Sequence, residues 1–176
     1  KDIKNFVGLG FPSIVKSIIP LNWLLDDIQI VMNTTRVETA DIWDKVSVEA
    51  CPMIYQREIP KELEYRIVVF GREIVCVEIR SQSMDRGGLD WRDVVAAERN
   101  LKEVPCPPQL VDQIYEFMGK AKILHGSFDF VKGADGEIYF LEVNQQGQFL
   151  WIEEELPELH LLDRMASFIA TGGKDD

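Results

Sequence analysis

The sequence is poor in the features that most often declare a function. Its three cysteines, Cys51, Cys76 and Cys106, are odd in number and widely spaced, so they form neither a Cys-x-x-Cys zinc pair nor a disulfide framework. Buried thiols are expected instead. The two histidines, His125 and His160, stand far apart and make no metal pair or triad; His125, beside Gly126, is read as structural. No Gly-x-Ser-x-Gly supports serine-hydrolase chemistry, and Gly8-Leu9-Gly10 lacks the spacing of a phosphate loop. No internal repeat or low-complexity tract occurs. No apolar run approaches the length of a membrane span, and the opening Lys1-Asp2-Ile3-Lys4 has no signal-peptide core, so a soluble, cytoplasmic protein with no membrane partner is expected. Positive charge is also scarce. With 19 Lys and Arg against 30 Asp and Glu, the net charge of -11 argues against a nucleic-acid partner, and an anionic nucleotide would need local cations and a metal.

What is present is a globular composition, 46% hydrophobic and 28% charged over 176 residues, enough for one domain or two small lobes. The most informative stretch runs from Ser127 to Asn144, where two β-rich runs flank Asp135-Gly136, a strong hairpin signal. With Asp135 and Gly136 as a two-residue loop, Asp129 falls opposite Glu142 and Ser127 opposite Asn144. Alternation then puts Phe128, Phe130, Tyr139, Leu141 and Val143 on one face, and Asp129, Glu142 and Asn144 on the other beside Val131 and Phe140. Two carboxylates and an amide oxygen are hard ligands that suit Mg²⁺ shared with phosphates. The same pattern also fits a solvated outer face of an edge hairpin.

Upstream, Phe11–Pro20 reads as a strand whose one charge is Lys16, with an exposed edge lysine as the plain alternative. Ile28–Thr34 is a second strand, Val37–Val48 a short helix capped by Thr39, and Pro52–Pro60 a third strand. Glu64–Ile79 is a central, buried hairpin around Gly71-Arg72, with Glu64 and Arg66 on one face as an ion-pairing or strand-entrance pair. Arg80–Arg92 is a loop rich in Gly, Ser and charge. A helix with Leu110, Val111, Ile114, Phe117 and Met118 on one face ends near Gly119, and Pro157–Ala170 is a final amphipathic helix.

The element order from about Phe11 to Ala170 resembles the ATP-grasp family, and is most similar to its microviridin or graspetide ligases, which mature ribosomally made peptides. The resemblance is carried by Ile54-Tyr55-Gln56-Arg57-Glu58-Ile59-Pro60-Lys61, Glu64-Tyr65-Arg66, Ser81-Gln82 with Asp90-Trp91-Arg92, and Phe140-Leu141-Glu142-Val143-Asn144-Gln145-Gln146-Gly147-Gln148. Gln145 stands where the family usually has a proline, and Ile19–Leu25 has no clear counterpart of its glycine-rich loop.

The resemblance implies an α+β fold in which two lobes with mainly antiparallel sheets clasp ATP. Residues 1–60 would form the small lobe and hinge, and residues 61–176 the large lobe. The family's preceding N-terminal domain is expected to be missing from this chain. By position, Lys16 would contact the α and β phosphates, and Gln56, Arg57, Glu58 and Ile59 would line the adenine hinge. Glu64 would contact the ribose, Arg66 would lie near the γ-phosphate, and Asp129, Glu142 and Asn144 would hold Mg²⁺. Arg66 and Arg92 would hold the reacting carboxylate and stabilise the intermediate. The implied activity is an ATP-dependent ligase working through an acyl phosphate on a peptide or protein carboxylate. Two alternatives stand beside it, a ligase adding an amino acid such as glutamate and a nucleotide-binding interaction module; a homodimer is compatible with each.

Overall fold

A computed structural model of the chain describes residues 11–18, 34–37, 52–80 and 100–173, together with the backbone of 22–25 and 28–31. The chain divides into two compact units, Lys1–Pro60 and Lys61–Asp176. Every strand pairing among the described residues is antiparallel, giving an α+β architecture. The expected helix beyond Val37, most of the Arg80–Arg92 loop, Cys51 and Arg92 lie outside the described residues.

In the first unit β1 (Ser13–Ser17) lies between β4 (Thr35–Val37) and β5 (Met53–Arg57). Lys16 is on that middle strand, half-buried and paired with Ile54 of β5, one residue beyond the last β4 pair, Val15 with Thr35. A separate hairpin joins β2 (Asn22–Leu25) to β3 (Ile28–Val31).

The second unit is built on a five-stranded sheet. Its members are β6 (Lys61–Phe70), β7 (Glu73–Ile79), β8 (Leu101–Glu103), β9 (His125–Gly133) and β10 (Ile138–Asn144), in the order β10-β9-β6-β7-β8. The apolar runs of β6 and β7 occupy both faces because both faces are covered. Gly71 supplies the positive φ of 63° that their two-residue turn requires.

One face carries Ile67, Val69, Cys76, Phe128 and Phe130, which pack against Leu110, Ile114 and Met118 of α1 (Pro108–Ala121). Those three helical positions recur every four residues, the spacing of one buried stripe. The helix runs past Gly119 to a left-handed Lys122, because a glycine inside a helix weakens it without ending it.

On the opposite face Val68, Phe70, Val75 and Val77 pack beneath Phe149, Ile152, Leu159 and Leu161. Phe149 caps the start of α2 (Leu150–Glu155), and the others come from α2, a 3-10 turn (Pro157–Leu159) and α3 (Leu161–Ala170), which begins after the left-handed His160. The single helix expected over Pro157–Ala170 is thus split at His160.

Candidate functional site

The face under α2 and α3 is apolar only over part of its area. Further along the same strands it presents Glu64 and Arg66 on β6, Asp129 on β9, and Glu142 and Asn144 on β10. Arg66 pairs with Asp129 across β6 and β9, and Glu142 and Asn144 pair with Asp129 and Ser127 across β9 and β10. Both cross-strand pairs match the sequence expectation for the hairpin.

The route to that register differs from the expectation. The hairpin has a three-residue loop, Ala134-Asp135-Gly136, because Gly133 pairs back to Glu137 (N to O 2.8 Å) and Gly136 adopts φ 83°. That loop shifts the register by one, and a bulge at Leu141 shifts it back. Between loop and bulge the faces exchange. Phe140 pairs with Phe130 and lies against the Phe117, Phe128 and Phe130 rings, whereas Tyr139 pairs with Val131 and donates its hydroxyl to Asp135 (2.6 Å).

A second bulge, at Glu62 on β6, brings Lys61 onto the face of Glu64. Their side chains form an ion pair at 2.8 Å with both partners largely buried. In a regular strand residues three apart point to opposite faces, so nothing in the sequence signals this contact.

Arg66 is the most connected side chain of the cluster. One terminal nitrogen donates to both carboxylate oxygens of Asp129, at 2.7 and 2.6 Å, and the other donates to the carbonyls of Gly147 (3.1 Å) and Gln148 (3.0 Å). The Asn144 amide nitrogen lies 3.4 Å from Asp129 Oδ2 and 3.3 Å from Glu142 Oε1, so one amide spans the two carboxylates. Burial raises the Asp129 carboxyl above its ordinary range; Arg66 pulls the other way, and the neighbouring carboxylates of Glu142 and Glu64 add to the rise.

This donor set fits a hard divalent cation. Like-charged carboxylates face one another there, and a cation would relieve their repulsion. Among the described residues no three His, Cys, Asp or Glu side chains gather as a complete metal cage. The two carboxylates instead suit Mg²⁺, which is usually held through one or two carboxylates with phosphate oxygens and water, and a turn of the Asn144 amide would add its oxygen.

The residues expected in the first unit lie on or beside its three-stranded sheet. Register places Lys16 on the same face as Gln56, since Lys16 pairs with Ile54 and Ile14 with Gln56. Glu58 accepts a forked ion pair from Arg36 (2.7 to 3.1 Å), and its backbone N–H donates to the Pro12 carbonyl at 2.8 Å. That N–H is therefore engaged within the unit. The Arg57 guanidinium stands 5.6 Å from the centre of the Phe11 ring, and Ile59 follows β5.

His125 takes the structural place expected of it. Its Nδ1 lies 2.8 Å from the Val69 carbonyl, and its ring stacks on Phe70 at 5.1 Å. The reading from sequence missed Lys61 and the carbonyls of Gly147 and Gln148. A visible signal existed only for the last two, in the Gln146-Gly147 turn, where Gly147 takes φ 85°.

No protein-family model and no curated protein sequence matches the chain. Solved structures do. An ATP-grasp ligase associated with RiPPs from Chryseobacterium gregarium, in complex with ADP and a leader and core peptide, superposes with a TM-score of 0.87 at 24% identity, covering 97% of this chain and 52% of that one. The macrocyclase MdnC from Microcystis aeruginosa MRC, bound with precursor peptide MdnA, gives 0.80 at 24% identity, over 97% and 51%. The ATP-grasp ligase PsnB, complexed with a precursor variant, Mg and ADP, gives 0.65 at 17% identity, over 87% and 44%. The chain spans about half the length of each of these proteins. Its fold is the ATP-grasp fold.

Proposed function

We propose, with the ATP-grasp fold as premise, that the chain is the nucleotide-binding part of an ATP-dependent ligase that joins a peptide carboxylate to an amine or hydroxyl. The observation that carries this reading is the convergence of Asp129, Glu142 and Asn144 on one sheet face, with one amide within 3.4 Å of both carboxylates. The neighbours solved with ADP, Mg and precursor peptides support the same nucleotide, metal and substrate class here.

In this reading Asp129 and Glu142 would hold Mg²⁺ together with Asn144, whose amide would turn its oxygen in place of its nitrogen toward the metal, and the ion would neutralise and align the phosphates. Lys16 is assigned to the α and β phosphates, Gln56 to Ile59 to the adenine edge, and Glu64 to the ribose after release from Lys61. Residues 1–60 are the small lobe and hinge, and residues 61–176 the large lobe. The substrate carboxylate attacks the γ-phosphate, giving an acyl phosphate and ADP. The amine or hydroxyl then attacks the acyl carbon, loses a proton and expels phosphate. Phosphoryl transfer asks a protein for charge neutralisation and alignment more than for covalent help, which suits a site of carboxylates and cations without a nucleophile.

Titration calorimetry with ATP and Mg²⁺ tests the site. Binding to the folded protein is expected, with loss in Asp129→Ala and Glu142→Ala; no binding, or binding unchanged in both variants, sinks the assignment. Loss of one water per crosslink from a precursor peptide, read by mass spectrometry, supports macrocyclisation. A mass gain of one amino-acid residue would place the chain with residue-adding ligases.

A further inference from the structure

We propose that Arg66 is a positioning residue, a two-way clamp that fixes the Asp129 carboxylate and the loop after Asn144, and that it does not itself touch substrate. The inference rests on the Mg²⁺-nucleotide reading of this face. The Arg66 side chain is only 6% exposed, and its two terminal nitrogens serve different parts of the chain. One grips both oxygens of Asp129 on β9, and the other takes the carbonyls of Gly147 and Gln148 beyond the end of β10. The remaining nitrogen, Nε, is buried and has no hydrogen-bond partner among the described residues. Both terminal nitrogens are thus committed to the protein, and Nε lies out of reach of solvent.

The loop needs such a clamp. Gly147 and Gln148 adopt consecutive positive φ values of 85° and 43°, and for glutamine that conformation is strained. Their carbonyls converge on one Arg66 nitrogen, and the Trp151 indole also donates to the Gln148 carbonyl at 2.8 Å. The loop is tied back to the metal-facing strand as well, since the Gly147 N–H donates to the Asn144 carbonyl at 3.3 Å. Arg66 therefore couples the β9 ligand Asp129 to the β10 ligand Asn144 through the loop that Asn144 leads into. Only a planar fork can serve both directions; a lysine could reach Asp129 but not also hold two carbonyls.

The test compares Arg66→Gln and Arg66→Lys with wild type in two measurements. In the metal-free protein, both variants are expected to raise amide hydrogen exchange over Gln145–Phe149 by about tenfold, because each loses the carbonyl contacts. In nucleotide titrations, the Mg²⁺ concentration for half-saturation is expected to rise about tenfold in Arg66→Gln and less in Arg66→Lys, which keeps a charge beside Asp129. Loop exchange equal to wild type in both variants overturns the clamp. So does an unchanged Mg²⁺ requirement accompanied by slower turnover, the signature of direct substrate contact. Should Arg66→Gln not fold, Arg66→Lys carries both measurements. A wild type that takes up no Mg²⁺-nucleotide overturns the functional reading, and the loop exchange still decides the clamp.

Discussion

Replacing Gly147 with alanine should destabilise the second unit through two separable effects. At φ 85° an alanine pays steric strain of about 1–2 kcal/mol that glycine avoids. The added Cβ would also stand 2.8 and 2.9 Å from two ring atoms of Phe149, closer than carbon atoms tolerate, so that ring must move. Phe149 is 6% exposed and meets Phe70 and His125 edge-on, with centroids 5.4 and 5.8 Å away. Disturbing those contacts adds about 0.5–1.5 kcal/mol. The total is about 1.5–3.5 kcal/mol, and at a urea dependence of about 2 kcal/mol per molar the midpoint should fall by about 0.8–1.8 M. Gly119→Ala is the matched control. Gly119 lies in α1 with open space around it, so alanine should stabilise by about 0.5–1 kcal/mol. Paired urea melts followed by circular dichroism measure both. If Gly147→Ala lies within about 0.5 kcal/mol of wild type, the packing argument for this loop is wrong.

Three further outcomes are expected. Phe128→Ala removes a ring 1% exposed between the sheet and α1 and should cost about 3–5 kcal/mol in a denaturant melt; a cost below about 2 kcal/mol would contradict that packing. Ser127→Ala deletes a hydroxyl that is fully buried without a hydrogen-bond partner among the described residues, so its stability should stay within about 1 kcal/mol of wild type, and a larger loss would reveal a hydrogen bond to that oxygen. In native alkylation followed by mass spectrometry Cys106 should react before Cys76. A hydrogen bond from Cys76 lowers the Cys106 thiol, whereas Cys76 is buried and its thiol raised, chiefly by that same contact; equal rates would refute the ordering.

The hairpin marks where the sequence is legible and where it is not. Alternation and a two-residue count at Asp135-Gly136 pair Asp129 with Glu142, and the pairing holds because the extra loop residue and the bulge cancel. They could not reveal that the turn takes a third residue and that Leu141 absorbs the shift, since a bulge leaves no compositional trace. Phe140 and Tyr139 were misplaced for that reason alone. The α1 stripe of Leu110, Ile114 and Met118 was readable from its period. The break at His160 was not, because the residues on both sides keep an amphipathic pattern and only the backbone shows the left-handed φ of 47°. Arg66 illustrates the deeper difficulty. Its spacing from Glu64 predicted its face, but its partners lie 63 to 82 residues away, beyond any local pattern.

The Leu141 bulge also makes the hairpin modular. Because the extra residue on β10 offsets the odd loop, everything beyond it, from Phe130 round to Phe140, keeps its own phase while Asp129, Glu142 and Asn144 keep theirs. The Ala134-Asp135-Gly136 tip is exposed and lies on the far side of that joint from the carboxylates. A reporter such as a short tag or a fluorophore-bearing cysteine grafted there would ride on the sheet without altering the spacing of the three ligands, which makes the tip a natural handle for watching this face fill.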